Sequence, residues 1–231
     1  MGNSGSNLSN AAGSSNEDLS RKKKEKDDQD ALDTAMSVAA LGVGTALVGW
    51  GLTKLLSSSS SSGLEEELNT CGKLKMNTDG SVINSKDGFG GRAGFGGVIR
   101  DEKGFCILCF YGKLRDDCSI VEAERWAICK GLKIIQGLNL REVEIESDSK
   151  EAINLIKNVK NDNMKAIRTM LLSTGCTLKH TLREGNRVAD KLAKLGREGD
   201  SNFEIFATPP KEIRSLLDAD VASAGFVRGA R

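Results

Sequence analysis

From Lys73 onward the apolar and polar positions fall into a regular pattern. Leu74, Met76 and Thr78 alternate with Lys75 and Asn77, the period of a half-buried strand, which the pattern ends at Asp79-Gly80. The glycine-rich "DGFGGRAGFGG" leads into Val98, Ile99 and Arg100, "DEKG" turns the chain, and "FCILCFYGKL" runs back, so a meander of three antiparallel strands is expected. Ile120, Ala123, Ala127, Gly131 and Ile135 then recur at helical spacing over 119–138, with Ser119 as cap and Glu122 three residues later. "EVEIESD" alternates again, "SKEAINLIKNV" and "NMKAIRTMLL" have helical periods, "CTLKHTL" is a short strand, and "NRVADKLAKLG" is a helix ending at Gly196. The expected order is β-β-β-α-β-α-α-β-α. Strands separated by helices pair in parallel, so the sheet is mixed and the class is α/β.

The first seventy residues follow no such pattern. Residues 1–33 are polar, with "RKKKEKDDQD" setting a basic block against an acidic one, and the composition predicts disorder. Residues 34–56 read as a Gly/Ala-rich apolar helix. Its stretch 34–53 is uncharged and long enough to span a bilayer, but only weakly apolar. Six serines, Ser57 to Ser62, open a linker over 57–72, the packed domain covers 73–200, and 201–231 form a C-terminal extension. "MGNSGS" fits a myristoylation pattern at Gly2, and "RKKK" would add attraction to anionic lipid. A span after that basic block would carry the domain out of the cytosol under the positive-inside rule, so the alternative is a helix that packs on a partner or on another copy through Ala40, Gly44 and Val48.

Composition narrows the chemistry. The chain of 231 residues, 39% hydrophobic and 28% charged, is long enough for one domain and an appendage. The net charge of +1 neither demands nor excludes nucleic acid. The six cysteines show no paired zinc spacing, and Cys106 and Cys109, three apart in one expected strand, are assigned to opposite faces as free thiols. With a single histidine, any metal would be held by oxygen.

Four carboxylates are candidates. Asp79 and Asp148 each follow a strand, Glu124 faces one side of the long helix, and Asp190 lies in the first turns of the last helix, so all four could meet at one sheet edge. Each also has a plain structural reading: Asp79 as a turn residue, Asp148 as a helix cap, Glu124 and Asp190 as solvated helix positions.

The segments "NTDGS", "GFGGVIRDEKG", "VEAERWAICKGL", "VEIESDSKEAINLI" and "HTLREGNRVADKLAKLG", in order and spacing, resemble the ribonuclease H-like domain of land plants and of their non-LTR retroelement reverse transcriptases. The resemblance covers residues 73–200. It implies a five-stranded sheet in order 3-2-1-4-5 with helices on both faces, and a nuclease that hydrolyses the RNA strand of RNA–DNA hybrids with two Mg²⁺ ions, for which Mn²⁺ can substitute. By position Asp79, Glu124, Asp148 and Asp190 match the family's acidic quartet, with Glu122 as the competitor for the second place. His180 matches a mobile histidine that assists proton transfer or product release, and Gly80, Ser81, Lys150 and Asn186 fall at substrate-side positions.

Bacterial members carry polar residues where this chain has Ile120 and Val121, and an amide where it has Lys150; "KNVKNDN" is shorter than their basic protrusion. Affinity for nucleic acid would then rest on dispersed Lys and Arg. Free thiols fit a reducing compartment, so an intracellular protein of nucleus or cytoplasm is expected, with a monomeric nuclease domain. The alternative is a catalytically weak, retroelement-derived nucleic-acid-binding module, membrane-associated through its N-terminal segment.

Overall fold

A computed structural model describes residues 72–84 and 91–229. The expectations for Gly2 and for residues 1–33 and 34–56 lie outside the described residues, as does nearly all of 57–72. Among the described residues no helix is long and apolar enough to cross a membrane.

The elements follow as β1 (Lys75–Ile83), β2 (Arg92–Arg100), β3 (Cys106–Leu114), α1 (Ile120–Gly137), β4 (Glu144–Ser147), α2 (Lys150–Asn158), α3 (Asp162–Thr174), β5 (Thr177–His180), a 3-10 turn (Arg183–Gly185), α4 (Arg187–Glu198), β6 (Glu204–Phe206) and α5 (Lys211–Gly229). The sheet order is β5-β4-β1-β2-β3-β6. Strands β1, β2 and β3 pair antiparallel, whereas β4 pairs parallel with both β1 and β5. The expected order 3-2-1-4-5 is thus present inside a six-stranded sheet. The addition is β6, which pairs antiparallel with the outer edge of β3; three residues carry too little alternation to mark a strand in sequence.

Met76, Phe95, Ile99 and Phe110 pack with Ala127, Ile128, Leu132 and Ile135 of α1 and with apolar residues of α2 and α3, so these helices cover one face. On the other face Val98 and Cys109 pack with Val188 and Leu192 of α4 and with Ile213 and Leu217 of α5. Strand β1 is therefore buried on both faces, Asn77 and Thr78 included, rather than half-buried as its alternation suggested. Asn77 is satisfied in place: its side-chain oxygen accepts from Arg100 at 2.7 Å and its nitrogen donates to Glu146 at 2.9 Å. Arg100 also donates to Asp220 of α5 at 2.6 Å.

Two local expectations change. Ile120 is exposed rather than part of the buried face of α1. Cys106 and Cys109 share a face, because β3 pairs Leu108 with Ile99 and Cys106 with Arg100, leaving Ile107 as a bulge residue that shifts the alternation by one. The Cys109 thiol is held well above its ordinary pKa, first by its hydrogen bond with Cys106 and then by burial.

Candidate active site

The site opens where a short strand stops. β4 ends at Ser147, opposite Thr78, so Asp79 is the first residue of β1 beyond the reach of β4. β1 itself continues to Ile83 and pairs Asp79 with Gly96 of β2. Asp79 is therefore neither a strand end nor a turn residue: the strand that ends beside it is β4.

Glu124 arrives from α1, which lies unusually close to β1 over Gly80. A Cβ on Gly80 would stand 2.4 Å from the Glu124 backbone nitrogen, so only glycine admits the helix here. Gly96 does the same beneath α4, where a Cβ would meet the Ala193 nitrogen at 2.4 Å. We expect Gly80→Ala to cost about 1–3 kcal/mol by overpacking and to push Glu124 away from Asp79. Thermal denaturation and Mn²⁺ calorimetry of the variant check both effects; unchanged metal binding would show that the close approach does not set the site.

The competitor Glu122 is engaged elsewhere. Its carboxylate accepts from the Ser119 backbone N–H at 3.0 Å and from the Ser119 hydroxyl at 2.8 Å, completing a capping box at the start of α1. Asp148 is not the cap of α2 either; Ser149 is, its hydroxyl accepting from the Ala152 N–H at 3.2 Å. With these duties taken by neighbours, Asp79, Glu124 and Asp148 each offer a carboxylate oxygen to one cluster whose atoms lie within 4.8 Å of one another.

Asp79 and Glu124 are 6% and 5% exposed. Burial, followed by the charges of Glu124, Asp148 and Asp190 and by a hydrogen bond with Glu124, pushes Asp79 up to about 10. Burial and the charge of Asp148 push Glu124 up to about 7, against hydrogen bonds from Asp79, the Gly80 N–H and the Ser147 hydroxyl. The last of these spans 3.3 Å. Both carboxyls are therefore pushed toward the protonated form, with a hydrogen bond between them. Like charges gathered out of water, without a cation, force this arrangement.

Asp190 stands outside that group of three. Its side chain is half-exposed on the first turn of α4 and accepts from Lys194 at 2.7 Å, yet its charge reaches Asp79. His180, the last residue of β5, is opposite Ser147 in register and exposed. Lys150, the first residue of α2, is also exposed. Ser81 and Asn186 are buried framework. The Ser81 hydroxyl accepts from Arg197 at 2.6 Å, and the Asn186 amide donates to the Thr78 carbonyl at 2.9 Å, tying the start of α4 to the strand that carries Asp79.

Two participants escaped the sequence reading. Ser147 orients Glu124, and its only signal was its place just before Asp148. Arg183 sets its Nε 3.4 Å from the Asp148 carboxylate, and nothing in "HTLREGN" singles it out beside His180 and Asn186.

The family described as reverse transcriptase-like matches residues 77–196, which enclose all four acids. A protein of Arabidopsis thaliana named as a ribonuclease H protein is 30% identical over 167 residues, 69% of this chain; the chain spans 26% of that relative's length. Among solved structures, LC11 ribonuclease H1 in complex with an RNA/DNA hybrid aligns with a TM-score of 0.48 at 24% identity, over 55% of this chain and 97% of the other. Ribonuclease H1 of the archaeon Halobacterium salinarum aligns with a TM-score of 0.45 at 18% identity, over 55% of this chain and 98% of the other.

Proposed function

The chain belongs to the reverse transcriptase-like family of ribonuclease H-like domains, and on that premise we propose that it is a metal-dependent endonuclease that hydrolyses the RNA strand of RNA–DNA hybrids. The observation that supports this most is the convergence of Asp79, Glu124 and Asp148 from three different elements. Three carboxylates brought together this closely fit hard divalent cations, because they supply oxygen ligands and a charge that only a cation offsets. Asp79, Glu124 and Asp148 would hold Mg²⁺ or Mn²⁺, with Asp190 as the fourth ligand. Bound there, two such ions supply an activated water and stabilise the oxygen that leaves as the phosphodiester breaks.

The chain's own residues prepare that site. Ser147 and the Gly80 N–H aim the Glu124 carboxylate. Asn186 holds α4, and with it Asp190, against β1, and Lys194 pairs with the Asp190 carboxylate on the same helix. His180, exposed at the rim, is placed to pass a proton or to help the product leave. Gly80, Ser81 and Asn186 contribute from beneath the site by fixing the backbone that carries the acids, and Lys150 adds positive charge beside Asp148. The Arabidopsis relative's name supports the same activity.

The test is cleavage of one labelled RNA presented as RNA–DNA hybrid, RNA duplex and single strand, with Mg²⁺ or EDTA. Cleavage of the hybrid that requires the metal is expected. Binding of the hybrid without cleavage would instead identify a nucleic-acid-binding module, and equal cleavage of all three substrates would remove the hybrid selectivity.

A further inference from the structure

Asp148 has a companion that the acidic site does not need as a ligand. Arg183 pairs with it through Nε at 3.4 Å, and the two partners differ sharply in environment: the Arg183 side chain is 92% exposed and that of Asp148 only 12%. The guanidinium therefore reaches in from solvent over the mouth of the acid cluster. Its backbone is held on both sides. The Thr181 N–H donates to the Ser147 carbonyl, the N–H groups of Gly185 and Asn186 close the 3-10 turn on Leu182 and Arg183, and the Asn186 side chain is bonded to Thr78. The loop is thus tied to both strands that deliver acids, β4 and β1, while the Arg183 side chain extends from it into solvent.

Such a pair is weak by construction. An ion pair whose cation stays in water gains little, so a divalent cation arriving on Asp148 displaces it easily, and the released guanidinium then faces like charge. A phosphate reverses that, since guanidinium forms bidentate, charge-assisted bonds to phosphate oxygens and is always protonated. We propose that Arg183 is an exchangeable countercharge: it covers Asp148 while the acid cluster lacks metal, and moves to a phosphate of the bound nucleic acid strand when cations take Asp148. The phosphate half rests on the nuclease reading above; the countercharge half rests on the ion pair alone.

The exchange predicts opposite signs for two affinities, which a merely structural loop residue would not produce. In full-length protein, Arg183→Gln should bind Mn²⁺ about twofold to fivefold more tightly by calorimetry in the absence of nucleic acid, because a competing exposed ion pair has been removed. In Ca²⁺, the same variant should bind a labelled RNA–DNA hybrid about tenfold more weakly by fluorescence anisotropy, because a charged phosphate contact is lost. Arg183→Lys keeps the charge without the fork, so it should restore wild-type Mn²⁺ affinity and recover hybrid binding only in part. Unchanged Mn²⁺ affinity in Arg183→Gln overturns the countercharge, and unchanged hybrid affinity overturns the phosphate contact. Weakening of both overturns the exchange in favour of a role in loop structure. Wild-type binding of hybrid is read first: its absence overturns the hybrid reading together with the phosphate half, and the Mn²⁺ measurement then decides the countercharge half by itself.

Discussion

Asp79→Asn is expected to reduce hybrid cleavage on the order of a thousandfold or more while leaving the fold intact and raising the melting temperature of the metal-free protein. The two effects have one origin. Without metal the burial of Asp79 and Glu124 favours a protonated acid between them, so a neutral amide that donates to Glu124 satisfies the same hydrogen bond without the proton uptake that folding otherwise requires. Placed between β2 and the end of β4, the position is extended strand, which asparagine adopts without strain. With metal the balance turns over: an amide supplies an oxygen but no charge, and the remaining acids offset less of a second dication. Wild-type activity in the variant under Mg²⁺ would defeat the metal-site reading, and a lower metal-free melting temperature would show that Asp79 is mainly structural.

The same pair fixes how stability depends on pH. Asp79 and Glu124 titrate at about 10 and about 7 in the folded chain, against ordinary values of 3.8 and 4.5. The folded state therefore binds more protons than the unfolded state between those limits, and stability without metal falls as pH rises from about 4 through 7 and toward 10. Below pH 4 both states are protonated and the effect is gone. Metal binding requires the deprotonated acids, so the gain in melting temperature on adding Mg²⁺ should grow across that window. In Asp79→Asn both the decline and the metal gain should shrink. Thermal melts in EDTA and in Mg²⁺ from pH 5 to 9 test this, and a Mg²⁺ gain that is constant with pH would break the link between the buried acids and the metal.

How much of this was legible in sequence depended on the range of the interaction that decides each feature. Local periods marked β1 to β5 and the helices between them, because alternation at two and recurrence near 3.6 are written in neighbouring residues. The capping box at Ser119 and Glu122 is equally local and is present as read, whereas the choice of Glu124 over Glu122 rested on the resemblance and on helical phase. Features made by distant partners were hidden. Asn77 looks like a solvent position in "KMNTDG", but it lies on the face of β1 opposite Met76 and is buried there against Arg100 and Glu146. The bulge at Ile107 exists only relative to its partner β2, so counting by twos along "CILCF" misplaced Cys106. Arg183 has no motif; its meaning comes from the tether of its loop to Ser147 and Thr78. The acids themselves were read through their resemblance to a family, since each aspartate taken alone is as well explained by a turn or a cap.

Removing residues 201–231, which the sequence marks as an extension to a domain of 73–200, should unfold that domain. Past Asp200 the chain adds the outermost strand, pairing Glu204, Ile205 and Phe206 with Tyr111, Phe110 and Cys109. Phe203, partly buried, packs against the main core, with its ring centroid 5.8 Å from Phe95 and 6.4 Å from Phe110, and lies 5.1 Å from the Nζ of buried Lys130. Ile213, fully buried, and Leu217 close the second cluster over Val98, Val188 and Leu192. Each large apolar side chain so buried contributes about 1.5–3 kcal/mol. Losing Phe203, Ile213 and Leu217 together therefore removes an amount comparable with the roughly 5–15 kcal/mol that holds a domain folded. Truncation also uncovers Arg100, which is buried between Asn77 and Asp220 and would keep only one of those partners. A protein ending at residue 209 keeps β6 and Phe203 but lacks α5, so it should fold with a lower melting temperature and looser protection of β2 and α4. Circular dichroism melts and amide hydrogen exchange on proteins ending at residues 200, 209 and 231 give the order of stability, expected to rise in that sequence. If the protein ending at residue 200 melted cooperatively at the full-length temperature, β6 and α5 would be ornaments on a self-sufficient sheet rather than the cover of its second face.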